Sequence, residues 1–158
     1  MFLTELPFDL PGRIFASVMP YGYYDPAGDS LIEFRASSIQ VIVLLAEEEE
    51  WLSITGHNLL TLYKKEGYQV IYLPVPDFGV PSLDDLEHAA DLINEHARAG
   101  RNIVVHCHAG IGRTGVFMAY LAKKLFGLSG EEAVRWVRRY IPRAIESEEQ
   151  RKFILGDE

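Results

Sequence analysis

Five residues separate Cys107 from Arg113 in the run Val104-Val105-His106-Cys107-His108-Ala109-Gly110-Ile111-Gly112-Arg113-Thr114-Gly115, and two of those five are glycine. A loop this short curls so that its backbone N–H groups point inward at one phosphate-sized oxyanion, and the helix that follows adds its positive N-terminal end. Gly110 and Gly112 permit the curl. Arg113 closes the cradle with a planar, permanently charged fork suited to two phosphate oxygens. The field that holds an oxyanion also favours Cys107 as thiolate, the form in which sulfur is a nucleophile. The Thr114 hydroxyl, one residue past the arginine, is placed to donate to that sulfur. The chemistry this implies is attack of a thiolate on phosphorus. The alternative is a small buried hydrophobe beside a glycine turn. Against it stands the order of apolar strand, Cys, two Gly, Arg and helix start in one consistent run.

The rest of the chain must position that run. Residues Arg13 to Val18, Ile39 to Leu45, Gln69 to Leu73 and Ile103 to Val105 read as strands. The second is a near-continuous apolar run of the kind a strand buried on both faces requires. Between and after them the pattern predicts helices over Leu31 to Ala36, a start near Glu47, Asn58 to Glu66, Ser82 to Ala99, Thr114 to Phe126, Ser129 to Tyr140 and Ser147 to Leu155. Ser82 reads as an N-cap, and Ser129 and Ser147 open capping boxes with Glu132 and Gln150. Alternating strands and helices imply an α/β fold, a single domain over residues 1–158 with a mostly parallel, twisted sheet of about four or five strands flanked by helices. The site belongs at the strands' C-terminal ends.

Composition narrows the class of function. The chain has 158 residues, a hydrophobic share of 48% and a charged share of 24%, ordinary for a globular domain. Cys107 is the sole cysteine, so no intrachain disulfide is available, and a reducing cytoplasm is the expected location. Neither a signal-peptide pattern at the N-terminus nor an apolar run of bilayer-spanning length is seen. Net charge is −8, although Arg113 to Arg143 holds seven Lys and Arg against two Glu. That local excess steers an anionic ligand, while the overall acidity argues against nucleic acid. His57, His88 and His96 read as solvated or helix-surface residues without metal-site spacing, Asp25 reads as a turn residue, and no cofactor is implied.

His-Cys-x5-Arg-Thr-Gly, from His106 to Gly115, resembles the signature of the cysteine-dependent protein tyrosine phosphatase superfamily, and the short chain resembles its compact dual-specificity members. The resemblance implies a phosphotyrosine protein phosphatase-like fold. It further implies hydrolysis of phosphate monoesters on proteins, on phosphotyrosine and also on phosphoserine or phosphothreonine, through a cysteinyl-phosphate. Cys107 is then the nucleophile, the loop amides from His108 through Ala109, Gly110, Ile111 and Gly112 to Arg113 bind the phosphate, Thr114 supports the sulfur, and His106 stands behind it. Asp77 is the expected general acid. It lies thirty residues before Cys107 on a loop stiffened by Pro74, Pro76 and Pro81, matching the family's acid loop in order and spacing. The competing role for Asp77 is that of a turn former after Pro76.

In that family an acidic residue often supports the loop arginine, and the sequence does not say which of Glu47, Glu48, Glu49 and Glu50 does so here. Glutamines between the last helices place water in the family's tyrosine phosphatases. Here Glu146 stands where the first is common, and Gln150 fits the capping box first and water placement in addition. The expected partners are a phosphorylated protein or peptide and a phosphate-like anion, with no metal, no membrane and a monomeric state. The alternative function is an inositol phosphate or phosphoinositide phosphatase, although His108 and Ile111 put no basic residue inside the loop. A catalytically dead phosphate-binding module is opposed by the joint presence of Cys107, Arg113, Thr114 and Asp77.

Overall fold

The computed structural model describes residues 1–156. Among them β1 (Thr4–Leu6), β2 (Ile14–Ser17), β3 (Ile39–Leu44), β4 (Gln69–Tyr72) and β5 (Asn102–His106) form one sheet in the order β1-β2-β5-β3-β4. The four strands β2 to β5 run parallel, as expected, and β1 pairs antiparallel with β2. Helices α1 (Ser30–Ala36), α2 (Glu48–Thr55) and α3 (Leu59–Lys65) precede β4, and α4 (Leu83–Arg98) leads from it to β5. After β5 come α5 (Gly112–Phe126), α6 (Gly130–Arg138) and α7 (Glu148–Leu155).

Strand side chains divide between two cores. Val41 and Val43 of β3, Ile103 and Val105 of β5, and Ile14 and Ala16 of β2 pack with α4 to α7. Their neighbours Ile42, Leu44, Val104 and Phe15 face Phe34, Trp51, Leu59 and Tyr63 of the first three helices. Both sides are therefore dry, which is why β3 and the middle of β5 read as near-continuous apolar runs. The alternation continues past β5. His106 contacts Tyr63 of α3, whereas Cys107 belongs to the core under α4 to α7.

Three features depart from the sequence pattern. Strand β1 was not anticipated, because three residues cannot display a period-2 pattern; its register, with Thr4 opposite Ala16 and Leu6 opposite Ile14, comes from a tertiary pairing. Asp25 does lie in a turn, its carbonyl accepting from Gly28 N–H, but its side chain has a further part. It is buried, and its carboxylate accepts from the backbone N–H groups of Asp29 and Ser30 and from the Ser30 hydroxyl, satisfying the start of α1. His96 is buried too, with Nδ1 3.2 Å from an Arg101 guanidinium nitrogen. Burial first, and the Arg101 charge second, lower its pKa from the usual 6.5.

The entry to β2 is locked to the turn before β5. Gly12 N–H donates to the Ala97 carbonyl at 2.8 Å, and a Cβ on Gly12 would lie 2.0 Å from the Arg101 carbonyl oxygen. Gly12→Ala is therefore expected to destabilise the fold by roughly 1–3 kcal/mol, the cost of overpacking a rigid contact, as read from urea unfolding.

Candidate active site

The loop after β5 is fastened to its neighbours before any side chain acts. The His108 carbonyl accepts from Met19 N–H beyond the end of β2, and the His106 carbonyl accepts from Leu45 N–H beyond β3. Gly110 has φ +76°, and a Cβ there would stand 2.6 Å from the Ser17 carbonyl oxygen. Only glycine fits that approach. Helix α5 starts at Gly112, two residues before the expected Thr114, so Gly112, Arg113 and Thr114 occupy its first turn. Cys107 is 2% exposed, and the Thr114 hydroxyl donates to its Sγ at 3.1 Å.

Arg113 is 3% exposed and has three protein partners. Nη1 and Nη2 reach Glu50 Oε1 and Oε2, each at 2.8 Å, a bidentate pair; Nη1 also donates to the Val75 carbonyl at 2.9 Å, and Nη2 lies 3.4 Å from Asp77 Oδ1. Burial alone would lower the arginine's pKa, but the bonds to Glu50, the charge of Cys107 and the carboxylates outweigh it, and the guanidinium titrates above its usual range. Glu50 thus answers the choice among the four glutamates. Glu47 is the N-cap of α2, with Glu48, Glu49 and Glu50 in the first turn, and only Glu50 is turned toward the loop arginine.

His106 is fully buried between two polar partners. Nδ1 lies 2.9 Å from the Cys107 carbonyl oxygen and Nε2 2.7 Å from the Tyr63 hydroxyl. A carbonyl only accepts, so Nδ1 carries the hydrogen and Nε2 accepts from Tyr63. Burial, opposed by the bond to Cys107 O, lowers the His106 pKa to about 4, so the ring is neutral and holds the loop's first carbonyl. His108, at the variable first position of the loop, is half-buried. Its Nε2 accepts from Tyr23 N–H at 3.2 Å, and Tyr23 and Tyr24 flank its ring. Burial lowers its pKa as well.

The proline-braced segment brings Asp77 to this centre. Val75 N–H pairs with the Leu45 carbonyl, and Gly79 N–H closes a turn onto the Pro76 carbonyl. The Asp77 side chain is 56% exposed, with Oδ1 also accepting from Phe78 N–H. Phe78 has φ +64° and an exposed ring. Behind it, Gln150 is buried in the capping box that opens α7. Its Oε1 accepts from the N–H groups of Glu146 and Ser147, and its Nε2 donates to the Gly79 carbonyl at 3.2 Å. The capping role expected of Gln150 is therefore present. Both its side chain and the Glu146 carboxylate lie against Gly112 at the end of the phosphate loop.

A family model described as "Polymorphic toxin system, DSP-PTPase phosphatase" matches residues 16–124. The chain belongs to this phosphatase family. Over its whole length this phosphatase-family chain is similar to the solved structure of Tk-PTP in the active form, at 29% identity, with 100% of both chains covered and a TM-score of 0.79. Kinase associated phosphatase, solved with its catalytic-site cysteine replaced by serine, shares the fold at 19% identity, with 99% of this chain and 96% of that one covered and a TM-score of 0.86. An uncharacterized protein of Methanocaldococcus jannaschii is 39% identical over 87 residues, which are 54% of this chain and 56% of that protein. Human tyrosine-protein phosphatase non-receptor type 18 is 33% identical over 124 residues, covering 68% of this chain and 26% of that protein. The chain spans about half the length, or less, of these curated relatives.

The predicted residues Cys107, Arg113, Thr114 and Asp77 thus meet at one point, with His106 behind the loop and Gln150 at its far side. Among the described residues, no three or more His, Cys, Asp or Glu side chains gather as metal ligands do. Sequence reasoning missed Tyr63, whose place opposite His106 depends on how α3 lies on the sheet, and Val75, which contributes only a carbonyl. Two outcomes are expected. Glu50→Ala removes charge-assisted bonds worth about 1.5–3 kcal/mol each, and should weaken inorganic phosphate binding at least about tenfold in calorimetry. His106 takes up its proton near 6.5 when unfolded and near 4 when folded, so the unfolded state binds more protons between those values and stability falls as pH drops through that window. Urea unfolding at pH 7 and pH 5 should show a smaller loss for His106→Asn than for the parent.

Proposed function

We propose that this chain hydrolyses phosphate monoesters on proteins, phosphotyrosine foremost, with phosphoserine and phosphothreonine as slower substrates. The observation that carries this is one buried guanidinium holding the acid loop beside the loop that carries the thiol: Arg113 touches Asp77 while Thr114 touches Cys107. Cys107 attacks phosphorus as thiolate, the loop amides and Arg113 hold the equatorial oxygens, and the bond from phosphorus to the leaving oxygen breaks. That oxygen takes the proton of Asp77. In the second half a water attacks the cysteinyl-phosphate, Asp77 accepts the water's proton, and Cys107 leaves as thiolate stabilised by the Thr114 hydroxyl. No metal or cofactor enters this scheme.

Phosphotyrosine ranks first because its phenoxide is a better leaving group than an alkoxide, and because exposed Tyr23 and Tyr24 flank His108 of the loop and exposed Phe78 follows Asp77, apolar surface that an aryl ring can cover. We also take residues 1–158 as one domain acting as a monomer in a reducing cytoplasm, without nucleic acid or membrane as partners.

Phosphate release from phosphotyrosine, phosphoserine and phosphothreonine peptides and from inositol phosphates, compared by kcat/KM, tests the substrate class; preference for inositol phosphates by tenfold or more would replace it. Cys107→Ser should abolish turnover while phosphate binding persists, and turnover within tenfold of the parent would remove Cys107 as nucleophile. Asp77→Asn should lower kcat about 10²- to 10⁴-fold for alkyl phosphates and much less for an aryl phosphate with a good leaving group.

A further inference from the structure

The acid loop is gripped from two sides. From the phosphate loop, Arg113 binds the Val75 carbonyl and the Asp77 carboxylate. From the opposite side, the Ser147 hydroxyl donates to the Phe78 carbonyl at 2.6 Å and Gln150 Nε2 donates to the Gly79 carbonyl at 3.2 Å. Four contacts therefore fix four of the five residues from Val75 to Gly79. They fix a strained turn, since Phe78 is a bulky residue at positive φ, a conformation that persists only where its surroundings over-determine it.

Capping alone does not account for the residue types at Ser147 and Gln150. As N-cap, Ser147 needs only an oxygen that accepts from Gln150 N–H, which it does at 3.1 Å; Asp would serve as well. In a capping box the third helical residue needs only an oxygen for the N-cap N–H, and α6 uses Glu132 in that place, with Ser129. At α7 the residue is instead a fully buried Gln, and the amide nitrogen by which it differs from Glu is spent on Gly79. Ser, unlike an ionised Asp, can donate as well as accept, and its hydroxyl hydrogen goes to the Phe78 carbonyl. Each member of this box has a donor the helix does not use, and both donors point at the acid loop.

The base of this grip is itself anchored. Arg138 donates to the carbonyls of Ala144 and Ile145, and Ile145 N–H meets the Ile111 carbonyl of the phosphate loop at 3.4 Å. At the far end of α7, Lys123 donates to the Ile154 carbonyl. We propose that Ser147 and Gln150 are positioning residues that latch the acid loop in its proton-donating position, so that the first turn of α7 sets how Asp77 is presented to the leaving oxygen. The inference rests on Asp77 being the general acid.

Ser147→Asp separates latch from cap, because aspartate accepts from Gln150 N–H but has no proton for the Phe78 carbonyl. Relative to the parent, kcat on an alkyl phosphate should fall about tenfold or more, while kcat on p-nitrophenyl phosphate changes less than threefold; Ser147→Thr, which restores the hydroxyl, should restore the parent ratio. The Gly79 amide, bonded to Pro76 in the parent, should exchange with deuterium faster in Ser147→Asp, with the thermal midpoint recording that α7 is still capped. Equal losses on both substrates, or an unchanged alkyl-to-aryl ratio, overturn the latch. Asp77→Asn run alongside distinguishes the two failures: if it shows leaving-group dependence and Ser147→Asp does not, the latch alone is wrong, and if Asp77→Asn shows none, the acid assignment falls and the latch with it. Should Ser147→Asp unfold, Ser147→Gly gives the same readout, since glycine is itself accepted at a helix N-cap.

Discussion

A permanently charged guanidinium in the interior is the constraint around which this protein is arranged. Removing Arg113 from water costs several kcal/mol unless its donors are matched, and a partner deleted from such a group leaves an uncompensated buried charge. The chain meets the requirement with three groups from two separate regions: Glu50 from α2, and the Val75 carbonyl and Asp77 carboxylate from the segment after β4. Each lies past the C-terminal end of a different parallel strand from the one that feeds the loop. The sheet order brings those ends together, so this one cation fixes where α2 and the segment after β4 must lie.

Around that charge the polar groups fall into two kinds. His106, Tyr63 and the loop's first carbonyl form a buried, neutral chain in which every hydrogen has one acceptor, so it adds direction and no charge. Asp77, Glu146 and His108 remain partly open to solvent, where protons can be exchanged. The reaction proposed at Cys107 needs this division: a charge that came and went behind the sulfur would alter its electrostatics with pH, whereas the proposed proton transfer takes place in front of it.

Much of this was legible in the sequence because it is local. The phosphate loop is contiguous, so Cys107, the glycines, Arg113 and Thr114 declare themselves by spacing alone, and the capping boxes at Ser129 and Ser147 are four-residue patterns. The parallel strands could be read because burial on both faces forces near-continuous apolar runs. What escaped was whatever depends on a partner distant in the chain. Glu50 was one of four equivalent carboxylates until the direction of α2 was known. Asp25 read as a turn residue and His96 as a surface one for another reason: their polar partners lie only four or five residues away, but their burial is set by tertiary packing. The donors of Ser147 and Gln150 read as caps because their second partners, the carbonyls of Phe78 and Gly79, leave no mark in any sequence.

The position of β5 has a temporal consequence. It is the last strand in the chain and the middle strand of the sheet, inserted between β2 and β3, which do not pair with each other. Without β5 the sheet is two separate pairs, β1-β2 and β3-β4, whose inner edges have no partner. The strand that leads into Cys107 is the piece that joins them. Completion of the sheet and placement of the Cys107 loop are thus one non-local event, the kind of step that slows folding and lengthens exposure to aggregation.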